Sequence, residues 1–143
     1  MRLALQIVAL SLLTVAAPAR AELEIRKSGH DWATIEDDGT VRMDGRPVGR
    51  VLPDGDVRVD GHAVGEVESD GSIRRDGRAV GRVHDDGTLR RQGREVGAIE
   101  DDGTIRRNGR EWGRVRNCCG DFGSKRTVAA VLVFFSEDFG QWE

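Results

Sequence analysis

The chain has 143 residues and a mixed charge, with 22 lysines and arginines against 25 aspartates and glutamates, which gives a formal net charge of −3. This balance excludes a general nucleic-acid-binding protein, because such domains are strongly basic. The length suits one domain that follows a targeting segment.

The first 21 residues have the composition of a secretory signal peptide. Arg2 precedes a largely apolar run over residues 3–17, and Ala19 and Ala21 are the small residues of a signal-peptidase site. The run is short for a membrane span, although an uncleaved anchor is the alternative. We therefore predict cleavage after Ala21 and an exported, periplasmic or secreted protein whose mature chain has no transmembrane span.

A period of 16 residues governs residues 25–115, where three apolar positions recur in six units. A fixed short period indicates a repeat architecture. The first position is Ile25, Val41, Val57, Ile73, Leu89 and Ile105; the second is Trp32, Val48, Val64, Val80, Val96 and Trp112; the third is Ile35, Val51, Val67, Val83, Ile99 and Val115.

Each unit reads as a β-hairpin. A dipeptide such as Asn108-Gly109 lies between β-favouring residues and is typical of a type I′ turn. A second turn, such as residues 101–103, joins one hairpin to the next. Gly97 and its equivalents lie inside the second strand and predict a β-bulge, because Val96 and Ile99 are three residues apart and need an extra residue between them to share a face.

The six hairpins, over residues 22–117, are predicted to close into a shallow, symmetric, all-β barrel of about twelve strands. Closure removes the exposed strand edges that favour aggregation. Trp32 and Trp112 replace Val in the first and last units only, and in a closed ring they would be neighbours across the seam. The alternative is an open solenoid whose two ends they cap.

The C-terminal tail, residues 118–143, contains an apolar segment at residues 127–135. A twelve-stranded barrel has a bore wider than Val and Ile side chains can fill. A helix that is apolar all round must be buried, and its width of about 10–12 Å suits the bore. We predict a helical plug with Ser124 as a candidate cap; a buried strand is the alternative.

Units such as "DGTIRRNGREWGRV" behind a bacterial-type signal resemble the β-flower proteins. The resemblance covers about residues 25–115 and implies a ring of hairpin petals. The form of that family is also similar to the tubby C-terminal domain, a twelve-stranded barrel around an apolar helix that binds phosphoinositide headgroups. No lipid-binding residue of that domain matches here, so none is carried over, and fold alone does not determine function.

One arginine occupies the same position in every unit. These arginines either pair with acids on a solvated surface or form a basic rim that docks an anionic ligand, such as a lipid headgroup or an acidic polysaccharide, because the guanidinium binds phosphate and carboxylate bidentately. The six residues are Arg26, Arg42, Arg58, Arg74, Arg90 and Arg106.

Cys118 and Cys119 follow the last repeat. In an oxidising compartment we favour a vicinal disulfide over a bridge to another chain or free thiols. His30, His62 and His84 do not cluster, and the sequence offers no nucleophile elbow. We therefore predict no metal, no cofactor and no enzymatic activity.

The predicted function is that of a non-enzymatic exported binding module with an anionic or amphipathic ligand. The alternative is a structural or assembly protein of the bacterial envelope that acts through protein–protein contacts. The corresponding partners are an anionic lipid or an envelope protein, and not nucleic acid.

Overall fold

The computed structural model describes residues 22–142, which form a closed antiparallel β-barrel around one helix. The predicted signal peptide, residues 1–21, lies outside the described residues. The strands are β1 (Leu23–Lys27), β2 (His30–Ile35), β3 (Thr40–Met43), β4 (Arg46–Val51), β5 (Asp56–Val59), β6 (His62–Val67), β7 (Ser72–Arg75), β8 (Arg78–Val83), β9 (Thr88–Arg91), β10 (Arg94–Ile99), β11 (Thr104–Arg107) and β12 (Arg110–Arg116), and the helix is α1 (Phe122–Phe135).

The hairpins have the predicted turns and bulges. Both central residues of each hairpin turn have positive φ, for example 49° at Asn108 and 79° at Gly109, as a type I′ turn requires. In the β9–β10 hairpin, Leu89 is opposite Gly97 and Arg90 is opposite Glu95, so Val96 is the extra residue. The same shift occurs in all six hairpins, so the bulge prediction is confirmed.

The linker turns between hairpins are held by their own aspartates. Asp102 accepts a hydrogen bond from the backbone N–H of Thr104 at 2.9 Å, and the Gly103 N–H donates to the Glu100 carbonyl at 3.0 Å. The hydrogen bonds from Thr104 hold the pKa of Asp102 below its usual value. The repeated aspartates are therefore part of the turn chemistry.

The barrel closes where the first strand pairs with the last. In the β1–β12 pair, Ile25 lies opposite Val115. Trp32 and Trp112 meet across this seam with ring centroids 5.3 Å apart and planes nearly perpendicular, which is a favourable aromatic arrangement. The prediction of a closed ring of twelve strands is confirmed.

The core contains the first and third apolar positions of the repeats and helix α1, together with Val80 and Trp112 of the second position and the aromatic residues that follow the helix. Val128 and Leu132 of the helix are completely buried, which confirms the prediction of a helical plug. The helix begins before Thr127, the start of the apolar segment, because Asp121 accepts a hydrogen bond from the Ser124 N–H at 2.9 Å. Asp121, and not Ser124, is therefore the N-cap residue.

The barrel has two mouths. The hairpin mouth is the end that carries the six hairpin turns, and the linker mouth is the end that carries the linker turns. Helix α1 starts at the linker mouth, where Lys125 approaches Gly87, and runs toward the hairpin mouth. Among residues 22–142, no helix has the length and apolar character needed to cross a membrane.

Candidate functional site

Large aromatic side chains fill the hairpin mouth. Four of them, from the end of helix α1 and the segment after it, pack over glycines of the second strands. Trp142 is only 2 % exposed, and Phe139 also packs against Trp112, with ring centroids 5.2 Å apart. The pairs are Phe135 over Gly49, Phe134 over Gly65, Trp142 over Gly81 and Phe139 over Gly97.

Polar contacts hold the segment after the helix across this mouth. The Asp138 carboxylate lies 2.5 Å from the Lys27 ammonium and accepts a hydrogen bond from Trp112 Nε1 at 2.8 Å. These two donors, Lys27 first, lower the pKa of Asp138. Arg91 donates to the Gln141 carbonyl at 2.9 Å. The hairpin mouth is therefore closed by both packing and charge.

The linker mouth, in contrast, contains a cavity of about 560 Å³. Gly123, Thr127 and Ala130 face it from one side of helix α1, since residues four and three apart share a helix face. These three residues give this side of the helix small side chains. On the wall side the cavity is lined by apolar residues, among them Ile35 and Val51.

Four carboxylates line the cavity, and three of them have internal partners. Glu36 lies 2.5 Å from Arg42 Nε, and Asp38 accepts the Thr40 N–H at 2.9 Å. Asp121 accepts both the backbone N–H and the hydroxyl of Ser124, at 2.9 and 2.6 Å. The hydrogen bonds from Thr40 and Ser124 lower the pKa values of Asp38 and Asp121 respectively. Asp37 is exposed.

Arg126 also lines the cavity, and its charge has no such compensation. One Nη2 hydrogen bond reaches the Val67 carbonyl at 2.9 Å, while Nε is shielded from solvent and has no acceptor. No carboxylate of residues 22–142 lies within 4.0 Å of this guanidinium. The adjacent Lys125 differs, because its buried ammonium contacts Asp101.

The six arginines at the repeated position lie on β1, β3, β5, β7, β9 and β11, and none of them lines the cavity. Arg42, Arg74 and Arg106 pair with the glutamate that precedes the adjacent linker turn, at 2.5–2.7 Å. Arg26 Nε lies 3.2 Å from Asp31 Oδ1, but the geometry of this contact is not that of a hydrogen bond. Within residues 22–142, no carboxylate pairs with Arg58 or Arg90. The use of these arginines as a ligand rim stays a prediction.

Cys118 and Cys119 are joined by a disulfide. Cys119 is buried, and its N–H donates to the Asp101 carbonyl at 3.0 Å. The pair therefore fixes the segment between the end of β12 and the start of helix α1, beside Asn117 of the cavity lining.

Sequence reasoning missed two parts of this arrangement. It placed residues 127–135 in the bore but gave no role to Phe139 and Trp142, and it gave no role to Arg126. The available signals were four aromatic residues near the end of the chain and an arginine directly before the apolar segment 127–135.

The fold and cavity define a plugged twelve-stranded barrel that is closed at one mouth and hollow at the other. In comparisons with models of protein families, with curated proteins and with solved structures, nothing matches this chain.

Proposed function

We propose that this chain is a non-enzymatic, exported binding module whose amphipathic ligand occupies the cavity at the linker mouth. The observation that supports this proposal is the cavity itself. Its volume of about 560 Å³ lies in the range of about 300–1,000 Å³ that is common for small-molecule sites. The filled hairpin mouth leaves the linker mouth as the side from which a ligand can enter.

The lining supports an amphipathic ligand because its buried side chains are apolar, while its polar side chains are at least partly exposed. Ile35, Val51 and Ala130 provide apolar contacts in the interior. Asp37, Asn117 and Ser124 provide polar groups at the linker turns and at the start of the helix. A ligand with an apolar body and a polar head can satisfy both surfaces at once.

The state of two of the four lining carboxylates favours a structural role for them over a catalytic one. A general acid or base works best with a pKa close to the ambient pH. Asp38 and Asp121 instead have lowered pKa values, because their hydrogen bonds stabilise the turn and the helix cap. Both carboxylates therefore stay ionised and structurally engaged near neutral pH.

A variant that fills the cavity tests the proposal. We expect wild-type protein, expressed from the full sequence, to bind the neutral probe N-phenyl-1-naphthylamine, whose fluorescence rises in apolar surroundings. Thr127→Phe places a ring in the cavity and should weaken binding about tenfold or more. Thr127→Val keeps the side-chain volume and should bind as wild type does.

Circular dichroism checks that both variants keep the barrel. If the wild-type protein shows no saturable binding, or if Thr127→Phe binds the probe as tightly as wild type does, the cavity is not a ligand site and the proposal fails.

A further inference from the structure

We propose that the ligand is an anionic amphiphile and that Arg126 binds its charged head. The inference rests on the proposed function, which requires only that an amphipathic molecule enters the cavity. It adds the sign of the charge on the ligand's head group and the side chain that recognises this charge.

Two neighbouring cations of helix α1 differ in how their charge is balanced. Lys125 is 4 % exposed and contacts the carboxylate of Asp101, so its charge is balanced within the fold. Arg126 has one hydrogen bond to a backbone carbonyl and a solvent-shielded Nε without an acceptor. Of the five N–H donors of this guanidinium, the Nε–H is kept from water without a partner, which is costly.

The acidic residues of the same lining would suggest a cationic ligand if their carboxylates were free. Glu36 is paired with Arg42, Asp38 is held in its turn, and Asp121 caps the helix. Each of these three carboxylates has a role in the fold that accounts for its presence. The fourth carboxylate of the lining, Asp37, has no such partner, but it is exposed to solvent, which hydrates its charge. Arg126 also lines the cavity, but no carboxylate of residues 22–142 forms an ion pair with its guanidinium.

The guanidinium group matches an oxyanion in charge and in shape. Arginine presents paired N–H donors that bind carboxylate or phosphate oxygens bidentately. An anionic head at Arg126 leaves its aliphatic chain beside Ala130, one helical turn further into the barrel, and beside Val51 on the wall. A carboxylate and a phosphate ester share this chemistry.

Ligands of equal chain length and different charge test the inference. Isothermal titration calorimetry at pH 7 would compare octanoate, octyl phosphate, octylammonium and 1-octanol at monomeric concentrations. We expect at least one of the two anions to bind about tenfold more tightly than the cation and the alcohol, because hydrogen bonds to charged groups are the stronger ones. Each methylene added to the preferred anion should tighten binding about fourfold.

Substitution of Arg126 tests whether this residue recognises the charge of the ligand's head group. Arg126→Gln should weaken binding of the preferred anion about tenfold and leave 1-octanol unchanged. Arg126→Lys keeps the positive charge but loses the paired N–H donors of the guanidinium, so its affinity for the anion should lie between those of wild type and Arg126→Gln. Arg94→Gln removes the same charge from an exposed site at the hairpin mouth and should bind all four ligands as wild type does.

The outcomes separate this inference from the proposed function. Three results would overturn the assignment of Arg126 but retain a cavity for amphiphiles. They are equal binding of anion and alcohol, tighter binding of octylammonium, and an anion preference that survives in Arg126→Gln. Absence of binding by all four ligands and by the naphthylamine probe overturns both.

Discussion

The two mouths of this barrel are built from the same repeat but are finished in opposite ways. At the hairpin mouth, Phe134, Phe135, Phe139 and Trp142 pack over strand glycines, and Lys27 holds the segment that crosses the opening. At the linker mouth, the side chains of the helix are small on one face, and a cavity of about 560 Å³ remains.

This difference shows which part of the chain distinguishes the two mouths. The bore of a twelve-stranded ring is too wide for valine and isoleucine to meet across it. The repeats therefore make a uniform frame, and the non-repeated residues 117–142 determine which end is filled. The cavity and Arg126 both follow from that segment.

The largest effect is expected when the filling of the hairpin mouth is removed. Trp142→Ala deletes a side chain that is 2 % exposed and should lower the free energy of unfolding by about 4 kcal/mol. Leu52→Ala, at the partly exposed rim of the linker mouth, should cost about 1 kcal/mol, because less apolar area is buried there. Urea denaturation followed by circular dichroism measures both values. Similar losses for the two variants would show that the mouths are not packed differently.

A smaller but still large effect is expected when the space over a strand glycine is filled. A Cβ at residue 81 would overlap the Trp142 ring and the Arg90 carbonyl, so Gly81→Ala should cost about 3 kcal/mol. Gly120→Ala is the matched control, since a Cβ at that position meets no atom within 4 Å. Thermal unfolding of the two variants compares them. If Gly81→Ala left the melting temperature unchanged, Trp142 would not be packed tightly against strand β8.

The frame could be predicted from the sequence because local chemistry specifies it. Dipeptides such as Asn108-Gly109 select the type I′ turn, and Gly97 marks the bulge that returns Val96 and Ile99 to one face. Repetition of these signals gives the strand number, and the two tryptophans of the outer units indicate the seam. Each inference uses residues that are close in sequence or equivalent by period.

The cavity could not be predicted because it depends on where the helix rests in the bore. That position is set by the packing of Phe134 and Phe135 on Gly65 and Gly49, which are about 70 and 85 residues away in sequence. The helix is apolar around most of its surface, so the sequence does not show that Thr127 and Ala130 would face a gap. The segment that contains Phe139 and Trp142 has no period, and so no pattern marked it as part of the plug.

The smallest of the three effects concerns the charge that holds the hairpin mouth closed. Asp138→Asn preserves the shape of the side chain but removes its ion pair with Lys27, and should cost about 1 kcal/mol at pH 7, because partly exposed ion pairs contribute little. The pKa of Asp138 in the fold lies below the unfolded value of about 3.9. Its contribution is therefore complete above that value and is lost as the pH falls through the lowered pKa.

The pH dependence separates this contribution from the acid sensitivity of the linker mouth. Asp38, Asp70, Asp86, Asp102 and Asp121 also have lowered pKa values, so wild type and Asp138→Asn should both lose stability in acid. The difference between them, measured by urea denaturation from pH 7 to pH 2.5, should shrink as the pH falls. Glu137→Gln, at the exposed neighbouring position, should follow wild type throughout. A difference that stays constant with pH would assign the effect of Asp138 to packing, and the hairpin mouth would then be closed by its aromatic residues alone.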